Sequence, residues 1–217
     1  MRIIDFKKAN GLHVGLKDNV SYVLGEDEPV CRTIQVDNKR FFISLPYITY
    51  MLQERFLLVK DGAKIQKNRE FYISFSQTST TELATALRCT GLPNVEADGE
   101  VCLGADINMF EGELNTATFK KVVSHFWMSQ FIQEEDGDEW HGVQILRQHF
   151  RLTKDFTGFD MTNLHKRLGA YQAWADVSKK DSSYGLKIEW PKLDIGDGYS
   201  RAFHGNLRDV WWEDLCE

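Results

Sequence analysis

The sequence contains no apolar run near the roughly 20 residues that a membrane-spanning helix needs, which argues against a transmembrane helix. Its first residues, MRIIDFKKANGLHVG, lack a long apolar segment and carry Asp5 early, so they do not resemble a secretory signal peptide. We therefore expect a cytoplasmic protein that has no membrane partner.

An excess of basic residues is also missing. The chain has 26 Lys and Arg against 32 Asp and Glu, which gives a formal net charge of −6. A general nucleic-acid-binding protein needs a basic surface that neutralises phosphates. We therefore expect no nucleic-acid partner.

Closely paired cysteines are absent as well. The four cysteines, Cys31, Cys89, Cys102 and Cys216, form no CxxC pair, so a structural zinc site of the usual kind is not expected. In a reducing cytosol they are free thiols, each of which is either a small buried hydrophobic side chain or a reactive group. We assign all but Cys102 to burial, and we expect neither a metal nor a cofactor.

The first half of the chain has the pattern of β-strands. Short apolar runs flank turn signals at Lys17-Asp18-Asn19, Asp37-Asn38-Lys39 and Asp61-Gly62, which predict hairpins. In EFYISFS, residues 70–76, apolar and polar residues alternate, which predicts a strand with one buried face.

The second half has helical periodicity. One apolar stripe, which predicts a helix capped by Asn115 or Thr116, consists of Phe119, Val122, Val123, Phe126 and Trp127. A second stripe, which predicts a helix capped by Asp160 or Thr162 and ending near Lys179-Lys180, consists of Leu164, Leu168, Tyr171 and Ala175. Strands followed by helices indicate an α+β fold, with an antiparallel β-meander and helices packed on one face.

Between the two halves, the segment LPNVEADGEVCLG places an Asn, an Asp-Gly turn signal and a Cys close together. Asn94 precedes Cys102 by eight positions, and Asp98-Gly99 between them favours a tight turn that would bring the two residues together. An amide beside a thiol is an arrangement suited to acyl transfer, because the amide can stabilise an oxyanion.

This segment resembles the active-site segment of the ubiquitin-conjugating enzyme (UBC) superfamily, in particular its prokaryotic branch typified by PRTRC system protein B. The resemblance covers about residues 40–132, and Leu92 stands where the eukaryotic enzymes have His. It implies a UBC-like domain with an N-terminal β extension over residues 1–150. Residues 151–217 would then form a C-terminal helix and a Trp-rich tail packed on that domain.

The resemblance implies that Cys102 carries a ubiquitin-like modifier as a thioester and transfers it to an amine. Asn94 would be the oxyanion donor, and Asp98 and Gly99 the supporting turn. Asp106 or the acidic run 134–139 could position the incoming lysine, although that run is better interpreted as a solvated loop. The implied partners are the modifier, its activating enzyme and a protein substrate, in a bacterial or phage system.

The same residues also fit other functions. A cysteine hydrolase would use Cys102 with His125, His141 or His149 as the base. A catalytically inactive UBC-like binding module could dock partners through the tryptophans, although core packing explains Trp190, Trp211 and Trp212 better. A zinc site built from Cys102 and the same histidines lacks ligand spacing.

Overall fold

The structure is a computed structural model. It describes residues 2–4, 20–58, 65–79, 87–96, 98–103, 110, 113–131, 141–153, 163–164 and 168–192. Within these residues the strands are β1 (Arg2–Ile4), β2 (Val20–Asp27), β3 (Val30–Val36), β4 (Lys39–Leu45), β5 (Tyr47–Leu58), β6 (Ile65–Ser76) and β7 (Gln130–Phe131). The helices are α1 (Thr116–Met128), α2 (His141–Thr153) and α3 (Gly169–Lys180), and a short 3₁₀ turn spans Tyr184–Leu186.

The strands form two sheets. The first sheet has the order β1-β2-β5-β6 with every pair antiparallel, and the second has the order β4-β3-β7. The α+β class is therefore confirmed. The single antiparallel meander is only partly right, because the β3–β4 hairpin separates β2 from β5 along the chain and belongs to the second sheet. There, β3 also pairs in parallel with β7.

The hairpin predicted at Asp37-Asn38-Lys39 is confirmed. Asp37 and Asn38 have φ values of 47° and 64°, which suit the two-residue turn that matches strand twist. The turn signals at Lys17-Asp18-Asn19 and Asp61-Gly62 lie outside the described residues. The strands on either side of the second signal nevertheless pair as far as Leu58 and Ile65.

The prediction that β6 has one exposed face is wrong. Phe71, Ile73 and Phe75 are buried as expected, but Tyr72 and Ser74 on the opposite face are also almost completely buried. Alternation of residue type identifies which residues share a face. It does not reveal whether the more polar face is covered by other parts of the chain.

The N-terminal end of α1 is capped as predicted by Asn115, whose side-chain oxygen accepts hydrogen bonds from the backbone N–H groups of Ala117 and Thr118. The predicted stripe on this helix is buried except for Trp127, which is half-buried. Phe126 packs edge-on against Phe71 of β6, so α1 lies on the first sheet.

A polar network joins α1 to both sheets. The Tyr50 hydroxyl on β5 donates to Asp27 Oδ2 at 2.9 Å and accepts from the Trp127 indole N–H at 3.0 Å. Arg32 on β3 forms an ion pair with Asp27 at 2.6 Å, and its guanidinium carbon lies 4.7 Å from the centre of the Trp127 ring. The network therefore connects β2, β3, β5 and α1.

The predicted second helix begins later than expected. The helix α3 starts at Gly169, and its N-cap residue, Leu168, makes no side-chain capping hydrogen bond. The proposed caps Asp160 and Thr162 lie outside the described residues. A Cβ built on Gly169 would lie 1.8 Å from the Asn163 carbonyl oxygen, so a close backbone approach fixes this end. Lys179 and Lys180 occupy the last turn, as predicted.

The helix α3 covers the outer edge of β4. The Ser44 backbone N–H donates to Ser178 Oγ at 2.8 Å, and the Ser44 carbonyl accepts from the Trp174 indole N–H at 3.0 Å. Beside it, the Gly185 N–H donates to Ser44 Oγ at 3.0 Å. Side chains of the second half thus satisfy backbone groups of a strand in the first half.

The chain after residue 150 shares the core of the preceding part. Trp190 is fully buried between Phe75 and Trp174, at ring-centre distances of 4.9 and 5.4 Å, so the core-packing interpretation is confirmed for this residue. Trp211 and Trp212 lie outside the described residues. The expected boundary after residue 150 falls inside α2, and the extent of a UBC-like unit stays a prediction. None of the described helices is long and apolar enough to cross a membrane.

Candidate functional site

Asn94 and Cys102 face each other across a small hairpin. The Cys102 backbone N–H donates to the Asn94 carbonyl at 2.9 Å, and the Glu96 N–H donates to the Glu100 carbonyl at 2.8 Å. Val95 and Val101 form the bridge between these two hydrogen bonds. The spacing of eight residues therefore places the amide-bearing residue directly opposite the thiol-bearing residue.

The turn of this hairpin lies at Asp98-Gly99. Gly99 has a φ of 89°, a backbone conformation that residues other than glycine rarely adopt. The Asp98 side-chain oxygen accepts the Glu100 backbone N–H at 3.0 Å, and the Gly99 N–H donates to the Glu96 carbonyl at 3.0 Å. These hydrogen bonds fix the turn locally, as expected for an Asp in this position.

The hairpin is anchored to the edge of β6. The Ile73 N–H donates to the Gly99 carbonyl at 2.8 Å, and the Val101 N–H donates to the Phe71 carbonyl at 2.9 Å. Val95 is buried in the core, as is Leu92. Both main-chain pairing with β6 and apolar packing therefore hold the hairpin that carries Cys102 in place.

The opposite face of the hairpin carries the polar residues. Cys102 is exposed, and Asn94 is half-buried with a φ of 59°. Within the described residues, the Asn94 side-chain amide makes no hydrogen bond. This left-handed φ belongs to the bend at residues 93–94 that leads into the hairpin, and the hairpin itself does not use the side-chain donors of Asn94.

Two exposed carboxylates also share that face, Glu96 and Glu100. Because side chains alternate along a strand, they lie on the side of Cys102 and away from buried Val101. The sequence interpretation did not select them. The sequence pattern could have identified them, because Val95 and Val101 alternate with polar residues and so indicate which residues of the hairpin face outwards.

The chain that follows Cys102 is held at Phe110. Arg69 forms a buried ion pair with Glu54 at 2.6 Å and also donates to the Phe110 carbonyl. The His125 ring packs edge-on against Phe110 with ring centres 5.4 Å apart. The weaker acidic candidates, Asp106 and residues 134–139, lie outside the described residues.

The described histidines have other contacts. His125 packs on Phe110, and His149 is buried, with its Nε2 3.2 Å from the Tyr184 hydroxyl. Neither imidazole makes a hydrogen bond with Cys102. His141 begins α2, but its side chain is outside the described part of the chain. Among the described residues, no group of three or more His, Cys, Asp or Glu could hold a metal ion.

The other cysteines have structural surroundings. Cys89 is buried, as predicted, with its thiol 3.2 Å from the Lys192 carbonyl. Cys31 is only half-buried, which corrects the expectation of burial, because the segment after α3 covers it only in part, with its thiol 3.6 Å from the Ser182 carbonyl. Burial, followed by the charge of Asp181, raises the pKa of the Cys31 thiol. Cys216 is outside the described residues.

The chain was compared with family models, curated proteins and solved structures. No match was found in any of the three comparisons.

Proposed function

We propose that this protein is a ubiquitin-conjugating-enzyme-like acyl carrier, which holds a ubiquitin-like modifier as a thioester on Cys102 and passes it to an amine. The observation that supports the proposal best is the exposed Cys102 thiol opposite Asn94 on a hairpin anchored to β6. Exposure matters because the thiol must reach the C-terminus of another protein. The anchoring matters because a nucleophile and its helper must keep a fixed relative position.

The chemistry takes two steps. In the first, the Cys102 thiol loses its proton, its sulfur attacks the activated C-terminal carbonyl of the modifier, a bond from sulfur to carbonyl carbon forms, and the activating group leaves. In the second, an amine nitrogen attacks the same carbonyl, the sulfur–carbon bond breaks, and the amine loses a proton. Negative charge develops on the carbonyl oxygen most strongly when the amine attacks, and the Asn94 amide is the donor that stabilises it in this second step.

The central experiment combines the protein with its modifier, the activating enzyme and ATP. We expect an adduct that thiols cleave. Cys102→Ser should abolish it or convert it to an adduct that thiols do not cleave, because the ester of a hydroxyl reacts more slowly than a thioester. Cys31→Ser is the matched control, since it removes another accessible thiol, and it should leave the adduct unchanged. A thiol-cleavable adduct on the Cys102→Ser variant would contradict the proposal.

The role of Asn94 is tested by separating loading from transfer. With Asn94→Ala, we expect loading to continue and single-turnover transfer to a lysine to slow by roughly 10²–10³-fold, the usual effect of losing one oxyanion donor. Restoring an amide with Asn94→Gln should recover less than the full rate, since the donor would be displaced. Equal rates for the wild type and the Ala variant would remove Asn94 from the mechanism and leave Cys102 in place.

The two alternatives predict different results. A cysteine hydrolase would release free modifier from the adduct in the absence of an amine, at a rate that depends on an imidazole. A UBC-like binding module would capture the modifier without any covalent adduct, and Cys102→Ser would not weaken that capture. The exposed thiol favours the acyl carrier over the binding module, for which the cysteine would have no use.

A further inference from the structure

The outer face of α1 is an exposed stripe, which consists of Ala117, Lys120, Lys121, Ser124 and Met128. These residues follow the i, i+3, i+4, i+7, i+11 spacing of one helix face. The opposite face of the same helix is buried in the core. The helix α1 therefore presents one whole face to solvent, and no described part of the chain covers it.

This stripe is cationic, although the whole chain has a net charge of −6. The helix itself contains no carboxylate. Within the described part of the chain, neither Lys120 nor Lys121 makes an ion pair or a side-chain hydrogen bond. By contrast, Lys179 on α3 pairs with Asp176 at 3.2 Å. Both positive charges of the stripe are thus available to a group on another molecule.

Met128 gives the stripe an apolar end. It is 79% exposed, the largest fraction among the described large hydrophobic residues. An unbranched thioether side chain adapts readily to different partner surfaces. The preceding residue, Trp127, is held by the hydrogen bond of its indole N–H to the Tyr50 hydroxyl, so this end of the helix is fixed. A fixed surface loses little conformational freedom when it binds a partner.

The stripe and Cys102 lie on opposite sides of the first sheet. Phe126 of α1 packs on Phe71 of β6. Glu100 in the hairpin bridges Tyr72, the next residue along β6. Adjacent residues of a strand point to opposite faces, and Cys102 shares the face of Glu100 because it follows two positions later. A partner bound to α1 would therefore leave the thiol uncovered.

We propose that this face of α1 is a docking surface for an acidic protein partner. Lys120 and Lys121 would pair with carboxylates of the partner, and Met128 would contact an apolar side chain beside them. Complementary charge favours an acidic partner over a basic one. Two lysines favour a protein over a nucleic acid, because nucleic-acid binding depends on several phosphate contacts. The surface is independent of the chemistry proposed for Cys102, and it can be tested without a modifier or an activating enzyme.

The test measures the fluorescence anisotropy of a labelled peptide composed of Glu and Leu residues. The control is the same peptide with Gln in place of every Glu. We expect the protein to bind the acidic peptide at low salt and to release it as salt rises, because salt screens exposed charges. The Gln peptide should bind about tenfold more weakly, since it lacks the carboxylates. Equal binding of the two peptides, or no binding of either, would overturn the proposal.

Variants locate the binding surface. Lys120→Glu combined with Lys121→Glu should weaken binding of the acidic peptide by about tenfold or more, because two attractive contacts become repulsive. The matched control, Lys39→Glu combined with Arg40→Glu, makes the same change in net charge at exposed positions on β4 and should change the affinity by less than about twofold. An equal loss in this control would show that the peptide responds only to overall charge, which would overturn the proposal.

Met128→Gln tests the apolar contact without changing the charge. It should weaken binding by about threefold, and it keeps the test possible if the double lysine variant does not fold. Unchanged affinity in the Met128→Gln variant would count against the docking surface as proposed.

Two further measurements establish the side of the molecule and the class of partner. Saturating peptide should leave the rate of Cys102 alkylation by iodoacetamide unchanged, because α1 lies on the other face of the sheet; protection of the thiol would place the peptide on the hairpin instead. Vesicles that contain phosphatidylserine should not retain the protein. Retention by vesicles without binding of the acidic peptide would assign the lysines to a membrane surface and overturn the proposal.

Discussion

Replacing Tyr50 with Phe tests whether the network around its hydroxyl holds the two sheets and α1 together. Tyr50 is fully buried, donates to Asp27 Oδ2 at 2.9 Å and accepts from the Trp127 indole N–H at 3.0 Å. Phe keeps the ring that stacks on Phe71, with ring centres 6.3 Å apart, so apolar packing is preserved. The variant therefore removes hydrogen bonds and almost nothing else.

The expected loss follows from the two hydrogen bonds. A hydrogen bond to a charged group contributes about 1.5–3 kcal/mol to folding, and leaving the partly buried indole N–H of Trp127 without its partner costs about 1 kcal/mol more. We expect the free energy of unfolding to fall by about 3 kcal/mol at pH 7. In a chain of this size, that corresponds to a decrease in Tm on the order of 8 °C.

The effect should depend on pH in a defined direction. Burial raises the pKa of Asp27, but the hydrogen bonds that it accepts, including that from Tyr50, and the charge of Arg32 outweigh burial and lower the pKa overall. A carboxylate with a lowered pKa stabilises the fold above its unfolded pKa of about 3.9, and this stability disappears as pH falls through the folded pKa. The deficit of Tyr50→Phe should therefore be full at pH 5–7 and shrink below about pH 4.

Urea unfolding at several pH values measures this deficit directly. Tyr47→Phe on the same strand is the matched control, because its hydroxyl makes no hydrogen bond within the described residues and its loss should be small. The reasoning would be refuted by a deficit at pH 7 no larger than that of the control. It would also be refuted by a deficit that grows as the solution becomes more acidic.

Three other predictions concern separate parts of the fold. We measure the rate of Cys102 alkylation by anionic iodoacetate divided by the rate with neutral iodoacetamide. Glu100→Gln should raise this ratio by about two- to threefold at low salt, because this is the effect of unit charges about 7 Å apart in water. An unchanged ratio would place this carboxylate away from the thiol. Asn115→Ala should lower the free energy of unfolding by about 0.5–2 kcal/mol in urea titrations through loss of the α1 cap, with no loss expected if the cap is not formed. Gly91→Ala should destabilise by about 1–3 kcal/mol or more, because the added Cβ would lie 2.7 Å from the Trp190 ring; a stable variant would contradict this packing.

Local signals predicted local structure well. The turn at Asp37-Asn38 and the cap at Asn115 each depend on a few neighbouring residues, whose conformational preferences are expressed wherever they occur. The turn of the hairpin between Asn94 and Cys102 is of the same kind, because the Asp-Gly pair forms its hydrogen bonds within residues 96–100, although pairing with β6 anchors the hairpin. The part of the site that depends on this turn could therefore be read from the sequence.

Features that depend on distant parts of the chain could not be predicted in this way. The parallel pairing of β7 with β3 involves only Gln130 and Phe131, a segment too short to show any period. The contact of Arg69 with Phe110 joins positions that no local pattern relates. The helix α2 is different, since Val143, Leu146 and Phe150 are buried at helical spacing and this local pattern is sufficient to predict the helix.

The side chains of α3 that bind the backbone of Ser44 have a consequence for association between molecules. The outer edge of β4 would otherwise present unpaired N–H and C=O groups, which can recruit a strand from a second molecule. Ser178 and Trp174 occupy these groups. A chain shortened before α3 would therefore expose a free strand edge, and we expect it to form intermolecular β-structure and aggregate at concentrations where the whole chain does not.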